Sequence, residues 1–304
     1  MSSASSSISS RSRLRTYASF VRFEHTLFSL PLILAGVFSV PGAPLGAARW
    51  VLIAIAAVGA RTAAMALNRL IDRRLDALNP RTRGRELPSG AMSAREATLL
   101  LAVSAAAYLG ACEALGPWYL GVSPIPLAVF AGYPYLKRFT PLCHLGVGMA
   151  LALAPLAGYA AAHPDLARPQ AALWIAAFAL VWVTGFDIIY ATLDEDFDRE
   201  HRVHSLVAWL GRTHALVVSG WLHRAAALLL VPVLITILGY APGGPTANAN
   251  ALLGGLALLV TVAVLLSLEQ RWAENVNLAF FKVNVWVGFA VLAMVLVARL
   301  AGGY

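Results

Sequence analysis

The chain has 304 residues, of which 59% are hydrophobic and 12% charged, where a soluble domain carries about 25% charged residues. This excludes an ordinary soluble globular protein and points to an all-α integral membrane protein. The net charge of +8 is read as membrane topology, with basic residues gathered on one side of a bilayer, and not as affinity for nucleic acid.

In chain order, the first residues, MSSASSSISSRS, are serine-rich and lack apolar periodicity, so residues 1–16 are expected to be a disordered tail. Apolar runs suited to a hydrocarbon layer of about 30 Å, which takes about 20 residues each, then recur. They lie near residues 25–44, 50–70, 96–116, 118–136, 141–162, 171–193, 213–240, 250–268 and 277–300. About nine transmembrane helices are therefore expected. The first run follows Arg11, Arg13, Arg15 and Arg22 and continues through Pro31 without a small-residue cleavage site, which suits a retained helix better than a signal peptide. Cys112 and Cys143 fall at or within spans and lack metal-ligand spacing, so both are read as packing residues. With the amino terminus inside, Arg11 to Arg22, Arg69 to Arg95, Lys137, Arg138, Arg199, Arg202, Arg212, Arg271 and Lys282 collect on the cytoplasmic side, while Arg49, Arg168 and Arg299 fall outside. The expected setting is a bacterial cytoplasmic membrane with the functional face toward the cytoplasm.

The acids form two clusters on that same side. Asn68, Asp72 and Asp76 are spaced four apart, so on a helix they stack on one face at intervals of about 6 Å. Like charges at that spacing repel, and something cationic is expected between them. In GFDIIYATLDEDFDRE, Asp187, Asp194 and Asp198 differ by seven and four, which selects one helical face, with Tyr190 on it. Two such helices side by side would converge several carboxylates on one space, the oxygen set that Mg²⁺ takes when it also holds phosphate. Glu195, Asp196 and Glu200 read as solvated loop acids. Asp187, seven residues deeper in an apolar helix, reads as functional, because intramembrane ionisable groups are expensive.

After Asp76 the helical pattern stops at Asn79-Pro80. The following loop presents Arg81, Arg83 and Arg85 beside the carboxylates. A bound diphosphate needs both signs, Mg²⁺ on some oxygens and guanidinium groups on the rest. Lys137 and Arg138, in GYPYLKRFT, either join them or anchor the membrane interface.

These residues resemble the UbiA-type membrane prenyltransferases. The resemblance is carried by Asn68-x-x-x-Asp72-x-x-x-Asp76, by Asn79-Pro80-Arg81-Thr82-x-x-Arg85-x-x-Pro88-Ser89-Gly90, and by Asp187-x-x-Tyr190-x-x-x-Asp194-x-x-x-Asp198. VRFEHTLFSLP and YPYLKR extend it over nearly the whole chain. It implies one transmembrane domain over residues 17–304, with helices bundled around a central cavity. It further implies Mg²⁺ held by Asn68, Asp72, Asp76, Asp187, Asp194 and Asp198 on a polyprenyl diphosphate. The catalytic carboxylates would be Asp72, Asp76, Asp187 and Asp194, and the substrate contacts Arg61, Asn68, Arg81, Arg85, Lys137 and Tyr190.

The implied reaction moves the prenyl group to an aromatic acid in ubiquinone or menaquinone biosynthesis. The sequence looks closest to 4-hydroxybenzoate polyprenyltransferases and to similar enzymes acting on 1,4-dihydroxy-6-naphthoate. FEHTLFSLP and the Asn68-Arg69 pair lean toward that branch. Much of the family has Asp directly after the Asn, whereas this chain has Arg69, a cation for a carboxylate.

Arg61 lies seven residues before Asn68, two turns along the same face. An intramembrane arginine needs a partner, either the acceptor's carboxylate or a salt bridge such as one to Asp187. Tyr190 either steadies a carboxylate, packs on the prenyl chain, or is a core tyrosine. Arg22, Glu24 and His25 are further headgroup candidates. Asn277 and Asn284 are read equally as interhelical glue or ligands. A multi-helix transporter is the alternative from another class, since buried charge among apolar helices also suits a substrate path.

Overall fold

The computed structural model describes residues 13, 15–22, 26–42, 44–240, 244, 248–273 and 282–300. Residues 13 and 15–20 are helical, so helix reaches into the end of the expected tail. The rest of that tail, together with Glu24, His25, Gly243 and Asn277, lies outside the described residues. Among the described residues there is no strand.

The helices are α1 (Thr26–Val37), α2 (Ala47–Leu78), α3 (Ala94–Leu115), α4 (Pro117–Val122), α5 (Pro124–Leu136), α6 (Cys143–Ala162), α7 (Gln170–Ala191), α8 (Glu195–Glu200), α9 (Leu206–Leu210), α10 (Arg212–Gly239), α11 (Ala249–Arg271) and α12 (Asn284–Leu300). Among the described residues, six candidate spans are long and apolar enough to cross a membrane: α2, α3, α6, the stretch Gln170–Glu200, α10 and α11. The other three predicted spans contain shorter helices. α1 has 12 residues and α12 has 17. The run predicted over 118–136 divides at Ser123, whose hydroxyl donates to the Leu120 carbonyl at 2.7 Å. Pro124 follows and cannot supply the backbone N–H that a continuous helix would use. Side chains such as Val58, Leu99, Val103, Leu228, Leu253 and Val260 are exposed on these helices, as expected of a chain whose solvent is lipid.

The chain divides into two compact units, residues 1–26 with 47–135, and residues 27–46 with 136–304. In the first, α2 runs for 32 residues, about 48 Å at 1.5 Å per residue, well beyond the hydrocarbon thickness of about 30 Å. The excess carries LNRLIDRRLDAL. α2 stops at Leu78 because Asn79 precedes a proline, and the Asn79 Oδ1 accepts the Arg81 backbone N–H at 2.8 Å. The loop then folds back: Thr82 donates its hydroxyl to the Asp76 carbonyl at 3.0 Å, and Met92 packs with Phe20, Ala66 and Ala97. A capping box between Ser93 and Glu96 starts α3.

In the second unit α7 is the central element. Ile175, Phe178, Trp182, Val183 and Phe186 are buried among Leu32, Leu230, Leu234, Leu266, Val287, Val291 and Met294. α1 and α6 cross at backbone contact. A Cβ on Gly36 would lie 2.0 Å from the Pro155 carbonyl oxygen, and one on Gly158 would lie 2.1 Å from that of Ile33. Small residues at such a crossing are what let membrane helices approach closely.

The α6–α7 and α7–α9 connections sit at opposite ends of α7, which has 22 residues and so spans about 33 Å. In a background lacking Cys112 and Cys143, a cysteine at Asp165 is expected to react with an impermeant reagent from one face of the membrane. Cysteines at Arg202 and Arg83 should react from the other. Labelling of positions 165 and 202 from the same face would contradict a membrane-crossing α7.

Candidate functional site

The first acidic ladder is one helical face, as its spacing requires. Asp72 and Asp76 are 2% and 7% exposed, and α2 carries them continuously. The expected cationic neighbour is present. Arg85 reaches from the loop and donates through Nη1 to both Asp76 oxygens, at 2.7 and 2.9 Å. Asn68 donates its amide to Asp72 Oδ2 at 3.2 Å, one turn away. Arg69 is 3% exposed; its electrostatic neighbours are Arg85, Glu86, Asp76 and Arg22. Arg81 and Arg83 have exposed side chains beside this cluster. Arg61 is half-buried and donates to the Arg22 carbonyl at 3.3 Å, and Arg22 itself has a left-handed backbone with φ 49°.

The second ladder differs from its sequence reading. α7 ends at Ala191, a 3₁₀ turn covers Thr192–Asp194, and α8 restarts at Glu195. Asp187, Asp194 and Asp198 are therefore not on one continuous helical face, because a 3₁₀ turn takes three residues where an α turn takes 3.6. Thr192 marks the break, its hydroxyl bonded to the Ile189 carbonyl at 2.7 Å.

Asp187 is paired, though with a residue the spacing did not single out. His144, at the start of α6 and 4% exposed, places Nδ1 at 2.6 Å from Asp187 Oδ2. His144 Nε2 accepts the Leu206 backbone N–H at 3.3 Å, so the ring proton belongs on Nδ1 and points at the carboxylate. A lone histidine inside an apolar run was the available signal; no motif marked it.

Asp198 is 7% exposed and is hydrogen-bonded by Ser205, with Asp194, Lys137 and His144 as electrostatic neighbours. Ser205 also caps α9 by accepting from the Ala208 N–H. The Lys137 carbonyl accepts the His204 N–H at 2.7 Å, which fixes the backbone that presents this lysine. Tyr190 is half-buried and packs on Ile189 and Ala273. Glu195 belongs to local structure, accepting from Arg199 at 2.9 Å and from the Arg212 N–H at 3.4 Å.

Among the described residues no three His, Cys, Asp or Glu side chains converge as a ready metal cage. A Mg²⁺ bound together with phosphate is usually held by one or two carboxylates, with water and substrate oxygens completing its shell. Asp72 with Asn68, and Asp194 with Asp198, are oxygen donor sets of that size.

Of the two asparagines on the last predicted span, Asn284 is interhelical. Its Oδ1 accepts the Trp182 indole N–H at 2.9 Å, and its Nδ2 donates to Glu269 at 2.9 Å.

Residues 29–286 match the profile of the UbiA prenyltransferase family. The chain is 29% identical to a 4-hydroxybenzoate octaprenyltransferase of Shewanella pealeana, over 72% of this chain and 75% of that protein. Among solved structures it is similar to the apo structure of a UbiA homolog from Aeropyrum pernix K1, with 35% identity, a TM-score of 0.77, and coverage of 90% of this chain and 98% of that one. It also shares its fold with a UbiA homolog from Archaeoglobus fulgidus bound to GPP and Mg²⁺, at 20% identity and a TM-score of 0.66, with coverage of 91% and 99%.

The His144–Asp187 pair predicts its own test. His144→Ala removes the donor to Asp187 and the acceptor for the Leu206 N–H, and leaving buried polar groups unmade costs about 1–3 kcal/mol. A lowered thermal midpoint of the detergent-solubilised protein is the expected result, and His144→Phe, which fills the volume without restoring either bond, should not recover it.

Proposed function

The chain belongs to the UbiA prenyltransferase family, and from that premise we propose that it transfers a polyprenyl group from polyprenyl diphosphate to an aromatic acid, releasing diphosphate. The observation that carries this reading is the buried pair Asp72 and Asp76 at the charged end of α2, held on Asn68 and Arg85. Carboxylates buried beside arginines suit a ligand that brings both a divalent cation and an anion. Membership in a family of transferases sets the transporter alternative aside.

In this reading the residues that would hold Mg²⁺ are Asn68, Asp72 and Asp76 of the first ladder and Asp187, Asp194 and Asp198 of the second. When bound it would neutralise the leaving diphosphate as a Lewis acid. Arg85 exchanges its carboxylate partner for phosphate oxygens, and Arg81 and Lys137 add further positive charge. The allylic C–O bond breaks with its electron pair leaving on diphosphate. As the phenol gives up its proton, the ring carbon ortho to that oxygen forms the new C–C bond, and the proton on that carbon then moves to the oxygen as the ring regains aromaticity, so that one proton is released in all. Asp187, oriented by His144 at 2.6 Å, or Asp194 takes the phenol proton. Most of the acceleration comes from electrostatic stabilisation and positioning.

The acceptor is proposed to be 4-hydroxybenzoate, with 1,4-dihydroxy-6-naphthoate as the alternative. Both carry a carboxylate for Arg61. The names of curated relatives support the first; the second shares its phenol and acid groups.

Asp72→Ala and Asp194→Ala should each lower prenyl transfer by at least about a hundredfold, as loss of a key electrostatic group does, with expression and helix content retained. A well-folded double variant turning over at the wild-type rate would remove the metal assignment. Arg61→Ala should weaken the acceptor by about 2–5 kcal/mol, because a buried anion loses its partner, with little change for the prenyl diphosphate. Arg61→Lys should rescue only in part, since an ammonium does not reproduce the guanidinium fork. Steady-state kinetics with each acceptor, varied against fixed prenyl diphosphate, reads both effects. An unchanged kcat/KM for the acceptor that wild type uses would leave Arg61 a structural residue.

A further inference from the structure

Away from the carboxylates, α10 and α11 leave a groove of about 640 Å³ between them. Its two ends differ in chemistry. Leu228, Val231, Leu259 and Ala263 line one end, and Arg224 and Arg271 stand at the other. Leu228 is 70% exposed, so the apolar end opens sideways. From Gly220 to Val231 the groove follows about 16 Å of α10 at 1.5 Å per residue, close to half the hydrocarbon thickness of about 30 Å.

The polar end is fixed by structure beneath it. Gln270 donates through Nε2 to Ser219 Oγ at 2.7 Å and approaches His223 Nδ1 at 3.0 Å, and Ser219 donates to the Gly185 carbonyl at 2.7 Å. This holds the amide so that Oε1 faces the groove. Gly220 borders this end: the position of a Cβ on it would lie 3.6 Å from Arg224 Nη1 and 3.7 Å from Gln270 Oε1, which places both groups at the same spot on the groove. Arg224 stacks over the Trp221 ring at 4.8 Å. Trp221 and Trp272 are both exposed, and exposed tryptophans beside arginines mark the headgroup level of a bilayer.

We propose that this groove binds an anionic phospholipid of the surrounding bilayer, with its phosphate between Arg224 and Arg271 and an acyl chain along Leu228, Val231, Leu259 and Ala263. The length suits one leaflet, and the charge complements a phosphate at headgroup depth, the pattern of basic pockets between membrane helices that take acidic lipids. Gln270 Oε1 is an acceptor for a headgroup hydroxyl, which points to a phosphatidylglycerol-type lipid over a choline lipid.

The test uses the full chain purified in detergent and titrated with phosphatidylglycerol or phosphatidylcholine of matched chains, with bound lipid counted by native mass spectrometry. Arg224→Gln with Arg271→Gln alters two exposed side chains and should weaken phosphatidylglycerol about 30-fold, the equivalent of about 1 kcal/mol per basic residue. Phosphatidylcholine should bind weakly to both proteins. Ala263→Trp, which fills the apolar end with both arginines in place, should also lose the lipid. Prenyl transfer to a soluble acceptor, measured in parallel, should stay at the wild-type level and certify the fold. Equal retention of the two lipids, or phosphatidylglycerol binding unchanged by the double substitution, would overturn the proposal. So would competitive displacement of the lipid by geranylgeranyl diphosphate, which would give the groove to a substrate.

Discussion

A carboxylate buried among membrane helices must have a donor or a cation against it, because its desolvation is otherwise unaffordable. That requirement organises this molecule. Asp76 has Arg85, Asp72 has Asn68, Asp187 has His144, Asp198 has Ser205, and Glu269 has Asn284. The partners differ in kind. Glu269, fully buried, is tied to Asn284 and through it to Trp182, which locks α7, α11 and α12 together with neutral donors. Asp76 is tied to an arginine from a loop. Such a partner pairs the carboxylate through two hydrogen bonds and can also bind phosphate oxygens, so one side chain serves both the fold and the proposed substrate.

Helix length decides where this charge can sit. α2 exceeds the hydrocarbon thickness by about a third of its own length, and the overhang is the segment bearing Asn68, Asp72 and Asp76. α10, with 28 residues, does the same, and its overhang carries Arg212, His214 and, near the boundary, Arg224. Charged residues on an overhanging turn are shielded on one side by packed helix and are open to polar ligands on the other. The groove between α10 and α11 and the carboxylate ladder of α2 are two uses of this geometry, one reading lipid phosphate and one proposed to read prenyl diphosphate.

The first ladder was legible because nothing interrupts it: a spacing of four on an unbroken α-helix gives one face, and Pro80 announces where the helix ends. The second was legible as a cluster and misread as a face, because spacing assumes a constant pitch and the 3₁₀ turn at Thr192–Asp194 breaks it. The division of the 118–136 run at Ser123 escaped hydropathy for a similar reason; apolar content is continuous across it while backbone hydrogen bonding is not. His144 escaped because its significance lies in a contact 43 residues away, with no local pattern to betray it. Arg61 is offered an acceptor carboxylate or Asp187 by the sequence; in the structure its guanidinium donates to the Arg22 carbonyl, and Asp187 is paired with His144.

Arg69 shows how one substitution changes the electrostatics of such a cluster. With Asp at that position, as in much of the family, the set formed by residues 69, 72, 76 and 85 would carry two net negative charges and would draw a divalent cation by itself. With Arg69 the same set is formally neutral, and its buried guanidinium has Asp76 and Glu86 as anionic neighbours against Arg85 and Arg22. A neutral cluster holds a lone cation less strongly and repels a diphosphate less. For the proposed reaction, this electrostatics favours taking up the cation together with its diphosphate over a metal bound in advance. That agrees with carboxylates that each have a donor of their own in the structure.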